Sequence, residues 1–132
     1  MEKWKEYKKG QIPKDRYIVE MKNGEEDGLY IKLIGFNNTV NISFGCVLGV
    51  RMLDEGVVID GFYSQNAVDE HKADGFENII YTVEQGVFKK EITASACGYC
   101  PESRVKHFIL ITENFIIDVV TEWEPEISVT TF

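Results

Sequence analysis

Residues 105–120, VKHFILITENFIIDVV, constrain the fold more than any other stretch of the chain. Two apolar runs rich in β-branched residues flank Glu113-Asn114, a pair suited to a tight turn, and both runs favour extended backbone. A two-residue turn would set Thr112 opposite Phe115, Ile109 opposite Asp118 and His107 opposite Val120. Both faces of each arm are apolar, which predicts a ribbon in the middle of a sheet, covered on both sides.

The rest of the chain reads as further strands separated by turns. Residues 1–10 place Trp4, Tyr7 and Lys8 at i, i+3 and i+4, so they are either a short amphipathic helix ending at Gly10 or a solvated, loosely attached terminus. Residues 16–22 form a first strand, followed by an acidic turn at 23–28, NGEEDG. Residues 29–36 and 39–44 are the second and third strands, joined at Asn37-Asn38. Gly45 and Gly49 point to a bulge or a change of sheet direction. Strands at 47–53 and 57–63 follow, then a polar stretch at 64–78 in which Ser64 could cap a short helical turn. A strand at 79–83 comes next. Phe88, Ile92 and Ser95-Ala96 recur at helical spacing, so a helix is expected over 85–96 with Gly98 as its cap. Residues 123–132 read as a last strand that Pro125 keeps at an edge. The expected fold class is α+β, mainly antiparallel β: a curled sheet, sandwich or partial barrel of about seven or eight strands with one main helix, by these pattern rules.

Length fits this reading, since 132 residues suffice for one domain with a real core and are too few for two. No apolar run reaches the roughly 18 residues of a membrane-spanning helix, and MEKWKEYKKG has no apolar centre of a secretory signal. A cytoplasmic location is the resulting expectation. The net charge of −8 opposes attraction to nucleic acid or to an anionic membrane, so neither is expected as a partner. The charge is uneven: residues 1–22 carry seven Lys/Arg against four Asp/Glu, a net of +3, and the remainder carries seven against eighteen, a net of −11. Such an acidic body suits either solubility or a basic protein partner.

Three constellations could carry chemistry. The first is Cys97-Gly-Tyr-Cys100. Redox thiols of this spacing sit at a helix N-terminus, where the field stabilises the thiolate; here the pair follows a helix, whose negative end would oppose it. As a metal site the pair supplies half of the four ligands zinc needs, with Cys46, His71 and His107 the other soft donors, so no metal or other cofactor is expected. Three cysteines, an odd number without a secretory signal, are expected to be reduced. The second constellation is His107 with Asp118, diagonal neighbours on one face of the hairpin, where a carboxylate would fix the imidazole tautomer. Such a pair serves either acid–base catalysis or the satisfaction of two buried polar groups. The third is Glu122, Glu124 and Glu126, which alternate around Trp123 and Pro125. In an extended strand all three carboxylates would share one face, as a docking row for a basic surface or as an edge that resists aggregation.

The segment RVKHFILITENFIIDVVTEWEPEI resembles a group of small bacterial proteins whose last hairpin reads His-aromatic-x-Ile-x-Thr, a turn, Ile-Asp-Val and a Pro-Glu pair. VRMLDEG at 50–56 is similar to the middle of those chains, whereas CGYC is not part of their pattern. These proteins look like immunity proteins or accessory proteins encoded beside secreted toxins. The resemblance implies a non-enzymatic, immunity-like binding domain. Together with the charge imbalance and the absence of a nucleophile motif, this gives the leading expectation: a cytoplasmic module that presents Glu122, Trp123, Glu124 and Glu126 to a basic protein. The alternatives are a thiol redox or other small enzyme using Cys97/Cys100 or His107/Asp118, and a small-ligand carrier.

Overall fold

The hairpin forms in the register its turn dictates. Strands β7 (Lys106–Ile111) and β8 (Phe115–Thr121) pair His107 with Val120 and Ile109 with Asp118. Thr112 closes the turn: its N–H donates to the Phe115 carbonyl at 2.9 Å, and its hydroxyl accepts from the Phe115 N–H at 3.2 Å. Arg16 forms an ion pair with Glu113 at the tip of this turn.

The structure is a computed structural model that describes residues 2–54, 79–95 and 102–132. In chain order the other elements are β1 (Lys3–Glu6), β2 (Ile18–Gly24), β3 (Gly28–Ile34), β4 (Asn38–Gly45), β5 (Gly49–Asp54), β6 (Ile80–Glu84), α1 (Val87–Ser95) and β9 (Glu126–Thr131). Among the described residues the nine strands form two antiparallel sheets, so the sandwich alternative is the observed one, with at least one strand more than the seven or eight expected. Sheet A has the order β1-β6-β7-β8-β5, and sheet B has β2-β3-β4-β9.

The two sheets face each other across one core. From sheet A, Phe108, Leu110, Ile117 and Val119 point inward; from sheet B, Leu29, Ile31, Leu33, Val40, Ile42 and Phe44 meet them. The outward face of sheet A is also buried. Trp4, Tyr81, Val83, Ile109, Ile111 and Ile116 form a second apolar cluster there, and Val105 and Val120 lie under Phe88 and Ile92 of α1. The ribbon is thus covered on both sides, as its sequence requires. Each fully buried Leu or Ile side chain contributes about 1.5–3 kcal/mol relative to exposure, so this ribbon is the main apolar anchor of the fold.

Sheet B is one-sided. Its inner rows are Val19–Leu33–Val40–Val129 and Met21–Ile31–Ile42–Ile127, and its outer rows include Glu20–Lys32–Asn41–Ser128. The alternation along β4 is the period-two pattern of a half-buried strand. The expected irregularity near Gly45 is present: the β3–β4 register shifts between Leu29 and Tyr30, and after Gly45 the chain leaves sheet B for β5 in sheet A. The β3–β4 turn is held by Asp15, whose carboxylate accepts from the N–H groups of Asn37 at 2.8 Å and Asn38 at 3.2 Å.

Two expectations need correction. Neither reading of residues 1–10, helix or solvated terminus, is observed: Lys3–Glu6 form the edge strand β1, which pairs with β6 and sets Trp4 opposite Val83. Trp4 is only 3% exposed, and Tyr7 and Ile12 are buried as well, so this segment is held to the body rather than loose. A one-turn helix has a costly nucleus and few bonds, and pairing with β6 offers more. The last strand begins at Glu126 instead of Trp123. The strand expected over 57–63, the polar stretch at 64–78 with His71, Gly98, and Cys97 with Cys100 lie outside the described residues. Among the described residues no helix is long and apolar enough to cross a membrane.

Candidate functional site

Alternation brings His107 and Asp118 to the outward face of sheet A, beneath α1. His107 is 3% exposed and Asp118 is fully buried. His107 Nε2 lies 2.7 Å from Asp118 Oδ1, so the anticipated diagonal pair is a direct hydrogen bond. A carboxylate partner assigns the proton to Nε2, from which it is donated. Nδ1 has no hydrogen-bond partner among the described residues and faces Gly86, where an added Cβ would fall 2.2 Å from it. Gly86 is therefore required by close approach: only a residue without a side chain lets the helix start against the imidazole.

Asp118 has a further partner that the sequence reading missed. Arg51, directly opposite it on β5, donates through Nε at 3.2 Å and Nη2 at 3.0 Å to Oδ2. The Arg51 guanidinium stacks 4.7 Å above the Phe88 ring, and that ring meets His107 edge-on at 6.1 Å. One carboxylate thus ties together β5, β7, β8 and α1. A signal existed in residues 47–53, VLGVRML, where Arg51 is the one charge in an otherwise apolar run, but its partner lies 67 residues away. Chemically, the imidazole is closed on both nitrogens, one by Asp118 and the other by Gly86. The arrangement supports a structural polar knot far better than a proton shuttle, since general acid–base chemistry needs a nitrogen within hydrogen-bond reach of a substrate.

The acidic segment Glu122–Glu126 occupies a different place. It is the corner at which the chain passes from β8 in sheet A to β9 in sheet B, alongside the oppositely directed passage from β4 to β5. Thr121, fully buried, starts the bend by accepting a hydrogen bond from the Trp123 N–H at 3.2 Å. Pro125 is buried and has no N–H to donate, so pairing begins only after it. The single row of three carboxylates expected on an extended strand is therefore not formed: only Glu126 belongs to β9, while Glu122 and Glu124 lie in the bend. Trp123 is 61% exposed, and Glu124 and Glu126 are exposed beside it. Burial pushes the Tyr7 phenol above its ordinary range, and the negative charge of Glu124 adds to that shift.

Sheet B carries a second acidic group to the same end. The β2–β3 turn holds Glu25, Glu26 and Asp27, all exposed. Gly28, at the base of that turn, has a φ of +70°, and a Cβ there would lie 2.2 Å from the Gly45 carbonyl at the corner. The turn therefore abuts the corner directly. Two strand spacings separate Glu126 from β3 and three from β2, so the two acidic groups lie roughly 10–14 Å apart. The sequence showed both groups as exposed acids; only the strand order brings them to one end.

Cys46 is an exposed free thiol at this corner. No group of three or more His, Cys, Asp or Glu side chains suited to a metal ion occurs among the described residues. Comparison with known protein families, with curated proteins and with solved structures finds no match to this chain.

Proposed function

We propose that the chain is a protein-binding module whose acidic corner, built by Glu122, Trp123, Glu124 and Glu126 together with the β2–β3 turn, docks a basic protein. The observation that carries this reading is the convergence of two acidic groups on an exposed tryptophan at one end of the sandwich. Grouped charge of one sign speeds the encounter with an opposite surface, and an exposed Trp supplies the apolar anchor that binding sites favour. The segment also lies within the stretch that resembles immunity proteins, which makes a toxin domain the finer form of the proposal. The polar knot at His107, Asp118 and Arg51 plays no part in recognition on this reading: it fixes α1 to the sheet.

Affinity capture from the source cell, with wild type and a Glu122→Gln/Glu124→Gln/Glu126→Gln variant side by side, tests the proposal. A basic protein retained in stoichiometric amount by wild type and lost by the variant is the expected result. Equal retention by both, or an acidic partner, would remove the corner from the interface. Co-expression with a secreted toxin encoded beside the gene tests the finer form: protection by wild type and loss of protection in the variant are expected.

A further inference from the structure

We propose that β2 is a self-recognition edge, through which two copies of the chain pair antiparallel and join their B sheets into one. β2 is a terminal strand of sheet B, and among the described residues β3 is the only strand hydrogen-bonded to it. Its seven residues, IVEMKNG, contain no proline, and the register irregularity of sheet B lies in the β3–β4 ladder instead. Such a strand presents a row of outward N–H and C=O groups that another strand can complete. The opposite edge, β9, is entered through Pro125 and carries a single charge, Glu126, with no basic residue to complement it.

The occupant follows from the charges of β2 itself. Glu20 and Lys22 flank Met21 and point to the outer face of the sheet. In an antiparallel pair centred on Met21, Glu20 of each copy stands opposite Lys22 of the other, giving two complementary pairs. A pair centred on Glu20 sets two carboxylates against each other, and one centred on Lys22 sets two ammonium groups together. Like charges directly opposite are unfavourable, so of these three registers the one centred on Met21 is favoured. That register also joins the inner faces. Met21 meets Met21 of the second copy, and Val19, which with Met21 lies half-buried at the margin of the core, gains cover from the added strand. Joining the sheets would thus extend the core at this edge.

The pairing makes a demanding prediction about mass in solution, measurable by analytical ultracentrifugation over a concentration series. Wild type should approach twice the monomer mass as concentration rises. Glu20→Lys and Lys22→Glu should each weaken the dimer by roughly tenfold or more, because each converts both complementary pairs into repulsive ones. An equimolar mixture of the two variants should recover the dimer, since one copy then carries two positive charges on this edge and the other two negative charges, and both cross-strand pairs are again of opposite sign. The double exchange, E20K/K22E, should dimerise as wild type does. A wild type that stays monomeric at every concentration, or single variants that dimerise as tightly as wild type, would overturn the proposal and leave the two charges as guards of a solvated edge. Hydrogen exchange of the wild-type β2 amides provides a reading that needs no variant: protection of residues 18–24 should rise with protein concentration, and protection independent of concentration would count against the pairing.

Discussion

Sheets A and B are built from similar numbers of residues and differ in what covers them. Every described residue of the β7–β8 ribbon from His107 to Val120, apart from the turn and Phe115, is buried, because sheet A is covered on both faces. Sheet B buries one face and leaves Glu20, Tyr30 and Ser128 in water on the other. The consequence is a division of labour. Sheet A holds the doubly covered apolar ribbon and the buried Asp118 with its His107 and Arg51 partners, whereas sheet B and the corner beside it leave more polar surface exposed. In sheet A the buried Asp118 carboxylate accepts from His107 and Arg51; on sheet B the outer-face polar groups Glu20 and Ser128 are exposed.

The largest effect should come from breaking the knot in sheet A. Asp118→Ala removes the shared acceptor and leaves His107 and Arg51 facing an apolar site, and a loss of about 3–5 kcal/mol is expected, as for a buried pair deprived of one member. Urea unfolding measures it directly. A loss under about 1 kcal/mol would place the knot among surface ion pairs and erase the contrast between the sheets.

Next in size is a matched pair of truncations on the two outer faces. Ile109→Ala, on the outward face of sheet A, should cost about 2–5 kcal/mol. Tyr30→Ala, on the outward face of sheet B, removes an exposed ring and its hydrogen bond to Asn41 and should cost about 1 kcal/mol or less. Equal costs would mean that sheet B is as deeply covered as sheet A.

A smaller, pH-dependent effect belongs to the β3–β4 turn. The Asn37 N–H, with the backbone amides of Arg16, Phe36 and Asn38, holds the Asp15 carboxyl below its ordinary range. A lowered folded-state pKa means that the stabilisation is fully present above the ordinary carboxylate range and is lost as pH falls through the lowered value. Asp15→Asn should therefore be less stable than wild type near neutral pH, and the gap should close in acid. A gap that widens on acidification would contradict the assigned direction.

What was legible in the sequence was local pattern; what was not was strand order and the path of the chain between the sheets. The ribbon's register, the His107–Asp118 contact and the α1 face formed by Phe88 and Ile92 could be read directly, because period-two and helical patterns are local. Arg51 could be seen as an odd charge in an apolar strand, but the strand order that sets it opposite Asp118 is not a local property. The first strand was misread because Trp4, Tyr7 and Lys8 fit helical spacing over so short a stretch. The acidic row failed for a related reason: alternation of Glu122, Glu124 and Glu126 implies one face only if the chain stays extended, and here it turns a corner between sheets at Thr121 and Pro125. That corner nonetheless gathers the β2–β3 turn to the same end, a convergence no spacing rule could show.

The proposed function places recognition on the acidic corner and not in the buried knot. The most direct measurement is the association rate of the captured basic partner with wild type and with the Glu122→Gln/Glu124→Gln/Glu126→Gln variant, over a range of salt. These side chains lie in the bend and at the start of an edge strand, so the variant should fold, with each change costing within about 0.5 kcal/mol. Its association should be markedly slower at low ionic strength, and the difference should shrink as salt screens the field to about 8 Å near physiological strength. Rates that respond neither to the triple substitution nor to salt would contradict the claim.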